Sequence, residues 1–140
     1  MQTMLKEFNQ RCNPGGKLSF IESSKDIPFE IKRVYYLYDV KCRRGFHAHK
    51  SLQQYLICVN GSCKILLDDG KERKEITLDN PNVGLYIGPS NWREMYDFSN
   101  GAVLLVLASE YYDESDYIRD YGEFIKYLKE KENKNESSVC

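Results

Sequence analysis

The sequence predicts an all-β domain of the antiparallel sandwich, jelly-roll or small-barrel type, closed by one C-terminal helix. Two observations carry this. Between residues 31 and 108 about eight short β-type runs recur at spacings near ten residues, each bounded by a turn signal. After Ser109 the apolar period changes, with Tyr117, Ile118, Tyr121, Phe124, Ile125 and Leu128 at helical spacing behind Asp113 as the expected N-cap.

IKRVYYLYDV (31–40) opens the series, rich in β-branched and aromatic residues, and GFHAHKSL follows the basic KCRR segment. QYLICVNGSCKILLDDG then gives two runs joined by Asn60-Gly61, the strongest short hairpin signal. Pairing across that turn is expected to oppose Leu56 to Ile65 and Cys58 to Cys63. KEITL (74–78), VGLYIG (83–88), REMYDFS (93–99) and AVLLVLAS (102–109) complete the set, with turns at DDGK, DNPN, GPSN and SNGA. Before residue 31 only LSFIE, after a Pro-Gly-Gly break, reads as a strand. Residues 1–128 are expected as one domain, and the charged tail KEKENKNESSVC (129–140) as frayed or disordered.

The 20 basic and 21 acidic residues of this 140-residue chain nearly cancel, with no long Lys/Arg block, which argues against nucleic-acid or membrane partners. An anionic ligand must therefore be held by a few placed cations. The N-terminus lacks an apolar leader run, and the longest apolar run, AVLLVLA, is too short to span a bilayer. Five scattered cysteines (Cys12, Cys42, Cys58, Cys63, Cys140) without a CxxC pair suit a reducing compartment, and a cytoplasmic protein is expected.

RGFHAHK (44–50) holds both histidines, His47 and His49. On a strand, residues i and i+2 project from the same face. A stable transition-metal site usually needs three or four protein ligands, and the chain has no third histidine.

The stretch resembles the first motif of the cupin family of β-barrel proteins, in which a glycine, HxH, a following glutamate and a later glycine occur in order and the histidines and glutamate hold a metal. Gln54 stands where the glutamate would be, Gly61 matches the later glycine, and Gly45 lies close to His47. VGLYIGPSNWRE resembles the second motif, with Arg93 near the place of its histidine. A neutral amide and a guanidinium are unsuited to holding a metal. A narrower match joins IPFEIKRVYYLYDV, RGFHAHK, GLYIGPSNW and LVLASEYYDESDYIRDY, in that order, over about residues 17–128. This set is similar to the nucleotide-sugar 3,4-ketoisomerases within the cupin superfamily.

The resemblance implies a cupin-type jelly roll, commonly a homodimer in which an N-terminal strand crosses to the other subunit. It also implies a dTDP-4-keto-6-deoxy-D-glucose substrate whose carbonyl moves to C3 without metal or organic cofactor, the product feeding an aminotransferase that makes 3-amino-3,6-dideoxy sugars. Such chemistry needs a base of near-neutral pKa, a proton carrier and stabilisation of an enediolate. By resemblance His47 is the base at C3, His49 its neighbour for orientation or for the sugar oxygens, and Tyr35 the proton carrier. Arg33, Tyr35 and Leu37 share one face of a regular strand. Arg33, Arg44 and Arg93 are the cations for enediolate and diphosphate, and Gln54 is expected near the sugar. Trp92, Tyr111, Tyr112 and Tyr117 are alternatives for stacking a base, and Arg119 is a further phosphate contact or a surface charge. The competing readings are a nucleotide-sugar 3,5-epimerase and a non-catalytic sugar-binding cupin.

Overall fold

The computed structural model describes residues 5–138. Two five-stranded antiparallel sheets face each other. The first runs, in spatial order, β1 (Leu5–Glu7), β9 (Val83–Ile87), β6 (Gln54–Asn60), β11 (Val103–Ala108) and β4 (Arg33–Leu37). The second runs β12 (Tyr117–Ile118), β5 (Arg44–His49), β10 (Trp92–Tyr96), β7 (Cys63–Asp68) and β8 (Arg73–Leu78). A separate exposed hairpin pairs β2 (Asn9–Asn13) with β3 (Gly16–Phe20), so the Pro-Gly-Gly break is its turn and LSFIE supplies its second strand. The jelly-roll expectation is met.

Alternation along the strands builds the inner core. Leu56 and Cys58, Cys63, Ile65 and Leu67, Ile76 and Leu78, Leu85 and Ile87, and Leu104 and Val106 meet between the sheets. Both outer faces are also partly covered. Ile27 and Phe29 lie with Phe8 over Tyr55, Ile57 and Leu107 on the first sheet. On the second, Phe124 of the helix α1 (Tyr121–Ser138) packs with Ala48, Trp92 and Ile118. Burial from two sides explains why QYLIC shows no polar alternation.

Three expectations are corrected. The Asn60-Gly61 turn joins no hairpin: β6 pairs with β9 and β11, whereas β7 pairs with β8 and β10, so the chain passes there from one sheet to the other. Cys58 and Cys63 thus share the core between the sheets instead of a ladder, and they are free thiols, as are Cys12 and Cys42. Asp113 caps a 3-10 turn (Glu114–Asp116), accepting from the Ser115 amide; Tyr117 and Ile118 then form β12 beside β5. The α-helix starts only at Tyr121, where Asp120 accepts from the Glu123 amide at 3.0 Å. Finally, α1 continues to Ser138, so residues 129–138 are helical, while 139 and 140 lie outside the described residues. The Lys- and Glu-rich run carries good helix formers and places Lys126, Glu130 and Lys134 at i, i+4 spacing.

Candidate active site

At one end of the sandwich the inward rows change from apolar to polar in register. Leu37 gives way to Tyr35 and Arg33 on β4, Cys58 and Leu56 to Gln54 on β6, and Met95 to Arg93 on β10. Ala108, small and paired with both Arg33 and Gln54, leaves room between them. Inward side chains of β5 supply His47 and His49.

A β-bulge decides how β5 presents its residues. Arg93 pairs with His47, but Glu94 pairs with Gly45, so Phe46 is an extra residue, with φ 56° after φ 92° at Gly45. A Cβ at Gly45 would stand 2.8 Å from the Arg93 carbonyl oxygen, so glycine is required there for space and for conformation alike. The insertion brings Arg44 to the inner face with His47, three residues later, where a regular strand would oppose them. It also turns the Gly45 carbonyl oxygen to within 3.0 Å of His47 Nδ1. An imidazole that donates from Nδ1 keeps a lone pair on Nε2.

His49, 1% exposed, sets its Nδ1 3.1 Å from Asp116 Oδ2. The two rings meet edge to face at 4.9 Å, and Tyr117 covers both, with centroids 5.1 Å from His47 and 4.3 Å from His49. Arg119 lies 4.2 Å over Tyr117 and grips Glu114 through Nε and Nη2 at 2.7 and 2.9 Å. That pair holds Glu114 well below the usual carboxylate range, at about 2. Burial, and then the charge of Arg93, lowers His47 to about 4. The same two causes, joined by His47, Arg33 and Arg119, push His49 further down, to about 2. Both imidazoles are neutral at pH 7.

Arg93 is fully buried yet still charged, with burial lowering it only to about 10. Its Nη1 donates a short hydrogen bond to Gln54 Oε1, and Gln54 Nε2 donates to the Tyr35 hydroxyl oxygen at 2.8 Å. The phenol accepts from behind, so its own proton is free to face the cavity. Burial raises the Tyr35 pKa against the opposing effects of Arg93 and Gln54, leaving a neutral donor.

Two hollows flank Tyr117. One of about 310 Å3 is walled by Arg33, Tyr35, Arg44, His47, Tyr117 and Arg119 among others. The other, about 460 Å3, has His49, Tyr111, Tyr112 and Asp116 on its wall. Arg33 borders both, its guanidinium 5.2 Å over Tyr35 and 5.7 Å over Tyr112. Three buried polar atoms here have no hydrogen-bond partner: Arg33 Nε, His49 Nε2 and Arg93 Nε. Native interiors rarely leave such groups unpaired outside functional sites.

Of the residues expected from sequence, Arg33, Tyr35, Arg44 and His47 border one hollow, and His49 borders the other. Gln54 and Arg93 stand behind Tyr35 rather than on either wall, because both are inward residues of central strands. Trp92 belongs to the core under α1, packed edge to face on Tyr121, whereas Tyr111 and Tyr112 are exposed at the hollow. Sequence reasoning missed Asp116 and left Tyr117 and Arg119 unassigned. Their signal was the run DESDYIRDY, whose helical spacing masked a two-residue strand. Among the described residues no group of three His, Cys, Asp or Glu side chains is placed to hold a metal ion. No helix is long and apolar enough to cross a membrane among those residues.

A jelly roll with convergent polar side chains at one end is a cupin-like, small-molecule site. Residues 1–129 match the family model described as "FdtA: WxcM-like, C-terminal", and the chain belongs to that family. It is 55% identical over 130 residues to a TDP-4-oxo-6-deoxy-alpha-D-glucose-3,4-oxoisomerase of Aneurinibacillus thermoaerophilus, covering 91% of this chain and 94% of that protein. Among solved structures, a mutant of the 3,4-ketoisomerase QdtA from Thermoanaerobacterium thermosaccharolyticum in complex with TDP-4-keto-6-deoxyglucose superposes with a TM-score of 0.89. It is 54% identical over 91% of this chain and 94% of that one. A 3,4-ketoisomerase from Helicobacter canadensis, 51% identical over 92% and 98%, gives the same TM-score.

Proposed function

We propose that the protein is a 3,4-ketoisomerase acting on TDP-4-keto-6-deoxyglucose, by acid/base chemistry through an enediol. One observation supports this most directly: two neutral imidazoles with free Nε2 atoms and one neutral phenol with a free proton gather beside a cluster of guanidinium groups.

His47 Nε2 takes the proton from C3, giving an enediolate with its charge on O4. His49 Nε2 accepts the O3 hydroxyl proton and returns it to O4, so that the charge moves to O3. Return of the proton held by His47 to C4, directly or by way of Tyr35, then leaves the carbonyl at C3 and both side chains as they began. Tyr35 supports this last stage, because Gln54 and Arg93 stabilise developing negative charge on its oxygen. Arg33, Arg44 and Arg119 surround the hollow with positive charge suited to the enediolate and diphosphate. The charged Arg93 beside the histidines occupies the region where a cupin metal would require anionic or neutral donors, so the scheme routes no step through a metal. The 3-keto product is a substrate for amino transfer at C3.

A homodimer fits the same reading. Val34 and Tyr36 on the outward face of the edge strand β4, with Tyr38 beyond it, are exposed together, an apolar stripe of the kind that pairs copies. A cytoplasmic setting suits the four free cysteines among the described residues.

The test is a proton NMR time course with TDP-4-keto-6-deoxyglucose in D2O, with and without EDTA. Loss of the C3 proton with new 3-keto resonances, unaffected by EDTA, is expected, and the couplings give the C4 configuration. Exchange at C3 and C5 with the ketone still at C4 would mean an epimerase. An unchanged spectrum would mean a binding module or a different sugar nucleotide as substrate. His47→Asn is expected to lose about two to four orders of magnitude in turnover with its fold retained; near wild-type turnover would remove His47 from the scheme.

A further inference from the structure

The segment Asp113–Arg119 closes the site from outside the two sheets, and one of its side chains reaches further in than covering the histidines requires. Asp116 Oδ1 accepts from the Ser51 amide at 2.8 Å, and Oδ2 accepts from the Leu52 amide at 3.3 Å and faces His49 Nδ1 at 3.1 Å. The Asp116 carbonyl oxygen accepts from the Lys50 amide at 3.0 Å. The carboxylate is thus fixed by two backbone donors before it meets the imidazole. A carboxylate in that position can only accept, so the proton between the two groups resides on Nδ1 and the ring has one orientation.

The other ring nitrogen is where the consequence falls. His49 Nε2 is buried and without a partner. His47 is held in the same sense, but by the uncharged Gly45 carbonyl. The two histidines therefore both present Nε2 as an acceptor, and they differ in what stands behind them. Only His49 has a carboxylate directly on its Nδ1 as counter-charge when the ring picks up a proton; Glu114, which acts on His47 without bonding it, is paired with Arg119.

We infer that Asp116 is a positioning residue for His49, holding its proton on Nδ1 so that Nε2 can accept the substrate's hydroxyl proton and stabilising the imidazolium formed in that step. The inference rests on the ketoisomerase reading for its catalytic part. It also makes the covering segment a mechanical link: the turn that brings Tyr117 over both rings is the one that delivers Asp116 to His49.

The test combines ring nitrogen NMR with kinetics on the full chain. With only two histidines, His47→Asn assigns the signals. Wild-type His49 is expected as the Nδ1-protonated neutral ring. Asp116→Asn is expected to shift or mix that tautomer and to lower kcat by about 10- to 1000-fold, with KM changed less than about threefold. Three results would overturn the inference: wild-type His49 protonated on Nε2, which needs no variant to fold; unchanged tautomer and kcat in Asp116→Asn; or a loss confined to KM, which would make Asp116 a tie for the covering segment only. Wild-type protein without turnover would sink the ketoisomerase reading and the catalytic part together, while leaving the tautomer result to stand by itself.

Discussion

Gly45→Ala asks whether the bulge is what aims His47. At φ 92° an alanine leaves the region open to L side chains, costing about 1–2 kcal/mol. Its Cβ would lie 2.8 Å from the Arg93 carbonyl oxygen and 3.1 Å from Glu94 Cα, both backbone atoms of β10. Neither can rotate away, so overpacking adds about 1–3 kcal/mol. The sum, about 2–5 kcal/mol, corresponds to a Tm lower by about 6–15 °C at roughly 3 °C per kcal/mol for a chain of this size. Gly101→Ala is the control: its φ is also positive, 78°, but its nearest neighbour is the flexible Asn60 Nδ2 at 3.7 Å. Strain alone predicts about 3–6 °C there. If the ladder opens to admit the methyl group, the Gly45 carbonyl also moves off His47 Nδ1, so turnover should fall in Gly45→Ala and persist in Gly101→Ala. Thermal melts and initial rates decide it. Equal melting temperatures for the two variants, or wild-type turnover in Gly45→Ala, would refute the reasoning.

Two further outcomes follow from the site's electrostatics. His47 has a folded pKa of about 4 against the ordinary 6.5, so between these values the unfolded chain binds more protons. Its contribution to stability is therefore complete above pH 6.5 and lost as pH falls towards 4, on the order of 3 kcal/mol in all. Because His49, at about 2, contributes in the same sense, denaturation at pH 7 and pH 5 of wild type beside His47→Asn should show the part due to His47, and an NMR titration placing His47 near 6.5 would remove its cause. Tyr35→Phe leaves the buried Gln54 Nε2 without its acceptor, costing about 1–3 kcal/mol of stability, and should cut turnover by about 100-fold or more. Unimpaired turnover in that variant would exclude the phenol from proton transfer.

Most strands were legible because their inner faces alternate: Arg33, Tyr35 and Leu37 point inward as the period-2 reading of β4 required, and VGLYI and VLLVLA lie within one residue of expectation. The partner of β6 was not. Asn-Gly between two apolar runs reads identically whether the runs pair or turn into opposite sheets, and the choice depends on the distant β9 and β11. The same limit hid β12, since Tyr117 and Ile118 fit helical spacing by coincidence and are strand only because β5 has a free edge. Among site residues, the histidines and Tyr35 were found through ordered motifs. Asp116 was not, because its role is set by a contact 67 positions away in the chain. Nor could the sequence reveal that an extra residue at Phe46 moves Arg44 to the face of His47.

The unpaired atoms Arg33 Nε, His49 Nε2 and Arg93 Nε bear on how this chain can evolve. A buried guanidinium and a buried imidazole, each with one nitrogen unpaired, make the free protein less stable than an apolar filling of the same volume would. Selection for heat resistance alone would therefore replace positions 49 and 93 early, and the first gains in melting temperature would come with loss of turnover. Lineages retaining both residues must be under selection for what the hollow does, so stabilising substitutions compatible with function belong elsewhere, on the outer faces of the sheets and along α1.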